Sequence, residues 1–427
     1  MSGVADWVER DARRCWHPYT QHGLGEAPLV VTGARGAWLE LADGRRVLDA
    51  ISSWWSVLHG HGQPELVRAM EQQAQRLDHV LFAGCTHPPA IELAEALASA
   101  APSGLTRVFY SDDGSTAVEV ALKLSYQLFL RRGEPRRTTF LALDGGYHGD
   151  TFGAMAAGDP RPFFSDFAPL LFDVHRAPAT VEGLEEAFAQ VGDNCAALIV
   201  EPLVQGAAGM RMYGAEVLQA ARGLCDAHGT LLIADEVMTG FGRTGTLFAS
   251  EQAGVCPDLM CLAKGLTGGM LPLAATLARE DIYAAFLGQD RGRAFFHGHT
   301  FTGNPIACAV ALASLALVDR DDVPGRLARL GERLESGLEP LRGLDGVREV
   351  RRLGGIVAVE LRARDGDAGY LSDAGERLRA ACRDREVLLR PLGNVLYAMP
   401  PACTTDAEID LIADHMRHAC RAALEAP

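Results

Sequence analysis

The stretch DLMCLAKGLTGG (258–269) sets an apolar run against a lysine and three glycines. Leu259, Met260, Leu262 and Ala263 have the character of a buried strand, and Lys264 follows directly. An amine at the edge of an interior loses its charge, finds a partner or snorkels to water. Here it is either a strand-end lysine reaching solvent or an amine that something uses. Four more runs share the pattern: RVFYS (107–111), TTFLAL (138–143), AALIVEP (196–202) and TLLIADE (230–236). Amphipathic stretches of helical length separate them. Continuous apolar runs alternating with helices mark the central strands of a parallel sheet, buried on both faces. The expected fold class is α/β, with a mostly parallel central sheet in a large domain.

Outward from that core the pattern changes. LVV (29–31), AWLEL (37–41) and VLDAIS (47–52) have the look of short strands, with Asp43-Gly44 as a tight turn. Beyond about residue 325, RLARLGERLESGLEPL is an amphipathic helix, and VREVRRLGGIVAVEL and VLLRPLGNVLYAMPP suggest strand pairs. The expected organisation is an N-terminal arm and meander (1–62) belonging to a small domain, a large domain (63–324) and a C-terminal small α+β domain (325–427).

Composition excludes several classes of function. The chain has 427 residues, 48% hydrophobic and 22% charged, which is ordinary globular usage. Its net charge is −15, and no basic stripe with interleaved aromatics is present, so a nucleic-acid partner is not expected. No run approaches the roughly 18 apolar residues of a membrane span. The N-terminus MSGVADWVERDARRCW carries early acids and no apolar core of a signal peptide. The ten cysteines lack CxxC spacing and suit free thiols in a reducing cytoplasm. Two HGH triplets, His59/His61 and His297/His299, lack the further ligands of a metal site, so no metal is expected.

In open α/β sheets, ligands sit at the carboxyl ends of the strands. There the runs carry Asp112 to Thr116, Asp144 to His148, Glu201, Asp235-Glu236 and Lys264. Gly114, Ser115 and Thr116 begin a helix, either as a phosphate cup or as an ordinary N-cap. Asp235 is either a strand-end cap or a partner for a ligand. Pyridoxal 5′-phosphate asks for all three features together. It needs a Schiff-base lysine, a carboxylate beside the pyridine nitrogen and a phosphate anchor. An NAD-dependent oxidoreductase would need a glycine fingerprint that is missing here, and it leaves Lys264 unexplained.

DEVMTGFGRTG (235–245), with Lys264 29 positions after Asp235, resembles the fold-type I, class III pyridoxal-phosphate aminotransferases. Within the class, WHPYTQH (16–22), SSWW (52–55), GGYHGDTFGAM (145–155), EPLVQGAAGMRMY (201–213) and RPLGNVLYAMPP (390–401) resemble one branch. That branch transfers an amino group from S-adenosyl-L-methionine to 8-amino-7-oxononanoate, giving 7,8-diaminononanoate for biotin. The resemblance implies a cytoplasmic homodimer with shared active sites. Lys264 then matches the covalent lysine, Asp235 the partner of the pyridine nitrogen, and Gly114 and Ser115 the phosphate cup. Tyr147 and Val237 match the groups on the two ring faces. Tyr19, Trp54, Trp55 and Tyr147 match substrate-site aromatics, Arg390 the carboxylate ligand and Gly298 a backbone contact to substrate. His299 and Thr300 match a segment that reaches the cofactor of the neighbouring subunit. Arg243 and Asp150 lie in matching motifs. His299 stands where users of S-adenosylmethionine often carry proline, and HGHTFTGN (297–304) resembles a branch with lysine as donor. The alternatives are thus the same acceptor with lysine as donor, or another class III ω-aminotransferase.

Overall fold

The computed structural model describes residues 3–159, 161, 164–363, 372–383 and 386–426. The N-terminal meander is β1 (Val31–Arg35), β2 (Trp38–Leu41) and β3 (Arg46–Asp49), paired antiparallel. β1 lies later than the run at 29–31 suggests, taking only Val31 from it. β3 stops at Asp49, short of Ser52, where the apolar pattern ends. The Asp49 carboxylate accepts the N–H groups of Ile51 and Ser53 and so turns the chain out of the ladder.

The large sheet draws on β4 (Leu105–Ser111), β5 (Thr139–Leu143), β6 (Val174–Ala177) and β7 (Cys195–Val200). A small hairpin, β8 (Val204–Gln205) and β9 (Arg211–Met212), comes next. The sheet resumes with β10 (Leu231–Asp235), β11 (Leu259–Leu262) and β12 (Ala274–Arg279). Its order is β4-β12-β11-β10-β7-β5-β6. β12 runs antiparallel to β11 and β4, and every other pair is parallel. The mostly parallel sheet is therefore present, with two strands that the apolar runs do not announce. β12 is alanine-rich with one β-branched residue, and β6 is a short edge strand containing His175 and Arg176.

β7, β10 and β11 are buried at every position. Ile199 and Ile233 face the helix Gly114–Arg131, whose Val118, Ala121, Leu122 and Ser125 are buried. Leu198 and Leu232 face the helices Val181–Val191 and Ala215–His228 on the other side. Each such side chain stabilises the fold by about 1.5–3 kcal/mol. Two-sided burial thus fixes the strand register, and with it the residues that emerge at the carboxyl ends. Among the described residues no helix is long and apolar enough to cross a membrane.

Toward the C-terminus come β13 (Val347–Leu353), β14 (Ile356–Leu361), β15 (Val387–Leu388) and β16 (Val395–Ala398). β13, β14 and β16 form an antiparallel sheet, whereas β15 pairs parallel with β3 and joins the N-terminal meander. The Gly354-Gly355 turn is wedged between the helix Val323–Leu338 and the loop that follows β10. Gly354 has φ +55°, and a Cβ there would run into the Thr244 backbone. Gly355 N–H donates to the Arg243 carbonyl at 2.9 Å. On the facing helix, a Cβ at Gly331 would run into the Gly354 carbonyl oxygen.

Gly331→Ala therefore overpacks a rigid contact, at a cost of about 1–3 kcal/mol that exceeds the gain in helix propensity. Gly223→Ala, in a helix with open space around the added Cβ, gains that propensity alone. Thermal unfolding checks the pair: the first variant melts below the parent, and the second melts at or above it.

Candidate active site

The carboxyl ends of β4, β5, β7, β10 and β11 converge on one cavity of about 670 Å³. Gly114, Ser115, Tyr147, Glu201, Asp235 and Lys264 all line it. Lys264 adopts φ 45°, which turns the chain sharply off β11. The glycines after it permit close approach. At Gly269 (φ +83°) a Cβ would meet the backbone of Ser56 and Val57 at 2.8 Å, and at Gly265 it would press on Phe241.

Burial pushes the Lys264 amine below the ordinary lysine range, while Asp235 and Glu201 pull the other way. Among the described residues Nζ has no hydrogen bond or ion pair; it lies 4.8 Å from the centre of the Trp55 ring. A desolvated amine of this kind is a poised nucleophile. Asp235 is buried, with Oδ2 2.7 Å from His148 Nδ1, and its Oδ1 accepts the Val237 N–H at 3.1 Å. Glu201 accepts the N–H groups of Tyr147 and Gly206, each at 2.9 Å. Burial, aided by the charge of Asp235, pushes the Glu201 carboxyl up to about 7, against His148 and the two N–H groups.

At the start of the helix Gly114–Arg131 the sequence expectation needs one correction. The Thr116 N–H is not free, because Asp113 caps it at 2.9 Å. The N–H groups of Gly114 and Ser115 have no protein acceptor among the described residues. Ser115 Oγ accepts the Thr151 N–H at 2.9 Å and lies 2.8 Å from Thr151 Oγ1. A side chain at Gly114 would strike Val237, at 2.5 Å from Cγ1. An amine without a partner, a carboxylate held by a histidine and two unclaimed N–H groups at a helix start suit pyridoxal phosphate.

Tyr147, Asp150 and Trp55 line the cavity, whereas Tyr19, Trp54 and Arg390 do not and join it through Asp150. Tyr19 and Tyr147 both donate their hydroxyls to Asp150 Oδ1, at 2.7 and 2.9 Å. Tyr147 stacks on Phe164, and burial pushes its hydroxyl pKa up. The Tyr19 ring meets Trp54 edge-on at 5.7 Å, and the Arg390 guanidinium lies 4.9 Å from the Trp54 ring centre. Trp55 points inward to Lys264 and donates its indole N–H to Tyr397 Oη at 2.9 Å. Ser52, Ser53, Trp54 and Trp55 all have φ between 44° and 74°. Such a left-handed turn costs roughly 1–2 kcal/mol per residue, so the surrounding structure must impose it.

Gly298, His299 and Thr300 do not line the cavity within one chain. His299 Nε2 sits 2.9 Å from Asp112 Oδ1, and Thr300 is exposed. The HGH histidines have other surroundings: His59 reaches Ser314 at 3.0 Å, and His61 reaches Asp49 at 2.9 Å. Among the described residues no three metal-ligating side chains gather. Arg243, buried, donates to the carbonyls of Trp55, Val57 and Pro400 and does not line the cavity.

A family profile described as aminotransferase class-III matches residues 19–420. The chain belongs to the class-III aminotransferases. It is 48% identical, over 92% of its length and 95% of the relative's, to a protein of Synechococcus elongatus named adenosylmethionine-8-amino-7-oxononanoate aminotransferase. A crystal structure under the same name from Methanocaldococcus jannaschii has a TM-score of 0.92 at 36% identity, covering 97% of this chain and 98% of that one. A PLP-bound amine transaminase from an uncultivated Pseudomonas species has a TM-score of 0.89 at 35% identity, covering 95% and 98%. Two residues of this aminotransferase escaped the sequence reading as site groups, His148 and Glu201. Their signals were present: His148 is adjacent to Tyr147, and Glu201 directly follows the last apolar residue of its run, Val200.

Because folding raises the Glu201 pKa, its contribution to stability is full below the unfolded value of 4.5 and is lost as pH rises through about 7. Glu201→Gln removes that dependence, on the order of 3 kcal/mol. Melting curves of the cofactor-free aminotransferase from about pH 5 to about pH 8 test it. The parent is expected to lose stability relative to the variant across that window.

Proposed function

We propose that this aminotransferase uses pyridoxal phosphate to pass an amino group from S-adenosyl-L-methionine to 8-amino-7-oxononanoate. The product is 7,8-diaminononanoate, for biotin synthesis in the cytoplasm. The observation that carries the reading is the chain of contacts from Arg390 through Trp54 and Tyr19 to Asp150 and Tyr147, the last two of which line the Lys264 cavity. The names of the relatives support the same reaction. When bound, pyridoxal phosphate supplies an electron-accepting ring and a carbonyl that carries the amino group between substrates.

The protein supplies the remainder. Lys264 takes the proton from the donor Cα and returns one to C7 of the acceptor. Asp235, held by His148, keeps a proton on the pyridine nitrogen. The Gly114 and Ser115 N–H groups bind the phosphate, and Tyr147 and Val237 are assigned to the two ring faces. The Arg390 fork takes the far carboxylate of the keto acid. Tyr19, Trp54 and Trp55 wall its aliphatic chain and the sulfonium of the donor. Gly298, His299 and Thr300 serve the site of a second subunit. The exposure of Gly298 and Thr300, beside Phe296 (77% exposed) and Phe301 (55%), supports a homodimer with shared active sites. On this reading the chain divides into an arm and meander (1–62), a cofactor domain (63–324) and a small domain (325–427).

Visible absorption tests the donor. The holoenzyme band bleaches with S-adenosylmethionine alone and returns with the keto acid; bleaching with lysine instead makes lysine the donor. Lys264→Ala abolishes turnover, and normal turnover in that variant would end the assignment. In steady-state kinetics Arg390→Ala raises the acceptor KM by roughly tenfold or more and the donor KM by less. Equal changes would remove Arg390 from its role.

A further inference from the structure

Asp49 lies outside the cavity, is fully buried, and ends β3 just before the tryptophan turn. Its Oδ1 accepts the N–H groups of Ile51 at 3.3 Å and Ser53 at 2.9 Å. Its Oδ2 accepts the Ser53 hydroxyl at 2.7 Å and lies 2.9 Å from His61 Nε2. Ser53 belongs to the left-handed turn, Ser52 to Trp55, and Ile51 immediately precedes it; the turn is closed by bonds from Trp55 N–H to the Ile51 carbonyl and from Ser56 N–H to the Ser52 carbonyl. Left-handed backbone at four successive residues with side chains does not persist unaided. A carboxylate accepting the N–H before a turn together with an N–H and a hydroxyl from inside it is the kind of partner that enforces it.

The consequence falls on the two indoles. In an extended chain, neighbouring side chains point to opposite faces of one strand. Here the turn sends Trp54 outside the cavity lining, against Tyr19 and Arg390, and Trp55 into the lining against Lys264. We propose that Asp49 is a positioning residue of the substrate site, its carboxylate holding the left-handed turn that sets Trp54 and Trp55. This rests on the assignment of those tryptophans to the substrate wall. Asp49 touches neither substrate nor cofactor, so its effect is on substrate binding and leaves cofactor binding intact.

The test compares Asp49→Ala, Asp49→Asn, Ser53→Ala and Trp54→Ala. Asp49→Ala is expected to raise the acceptor KM about tenfold while cofactor affinity stays within about twofold of the parent. Its cofactor-free form should show an altered near-ultraviolet circular dichroism signal from tryptophan. Asp49→Asn keeps an acceptor for the two N–H groups and should restore most of both properties. If Asp49→Ala does not fold, Ser53→Ala takes its place, with an expected rise in acceptor KM of about threefold. An unchanged KM and tryptophan signal in the folded variant would overturn the proposal. So would a loss of cofactor affinity equal to the loss of substrate affinity. An unchanged KM in Trp54→Ala would instead sink the substrate-wall assignment, and the tryptophan signal of Asp49→Ala would still decide whether the carboxylate holds the turn.

Discussion

An amine that must shed its proton to react has to be kept from water and yet reachable by a ligand. Lys264 meets both demands because it stands just past the end of a strand buried on both faces. The register pairs Asp235 with Cys261 on the adjacent strand, so the acid and the amine emerge side by side. Desolvation lowers the amine pKa, and the nearby carboxylates limit how far it falls. The apolar packing of β7, β10 and β11 thus stabilises the fold and tunes the site at once. Loosening it would admit water and weaken the desolvation that lowers the amine pKa.

The aromatic set beside the cavity obeys different physics. Its groups come from distant parts of the chain and meet through rings and a guanidinium, with one carboxylate, Asp150, shared by two tyrosines. Arg390 and Trp54 are contributed by segments on either side of the β3–β15 pairing. Trp55 lies in the cavity lining, against the lysine and bonded to Tyr397. A wall of this kind suits apolar chains and cations, and the half-buried Arg390 fork suits a carboxylate.

The interior was legible in the sequence because continuous apolar runs have few other homes, and each run pointed to the residue at its end. Lys264, Asp235 and Gly114-Ser115 follow from that rule alone. β12 escaped because alanines carry little strand signal, and β6 because an edge strand tolerates His175 and Arg176. Thr116 resembled a phosphate donor, yet a carboxylate three residues earlier had claimed its N–H. The strand expected over 47–52 ran into the start of SSWW, and no local pattern signals four left-handed residues. Their conformation depends on Asp49, Arg243 and the Met399 carbonyl, which accepts the Ser52 hydroxyl, and two of these partners lie far along the chain.

The pairing of β3 with β15 also sets an order of assembly. Leu48 pairs with Val387, and the tryptophan turn leans on Tyr397, Met399 and Pro400. During synthesis none of those partners exists until nearly the whole chain has left the ribosome. The sheet around Lys264 needs nothing beyond Arg279. The strands that carry Lys264 and the turn that carries the tryptophans are therefore completed at different times, and a chain cut short in its last forty or so residues would keep those strands while lacking the supports of the turn.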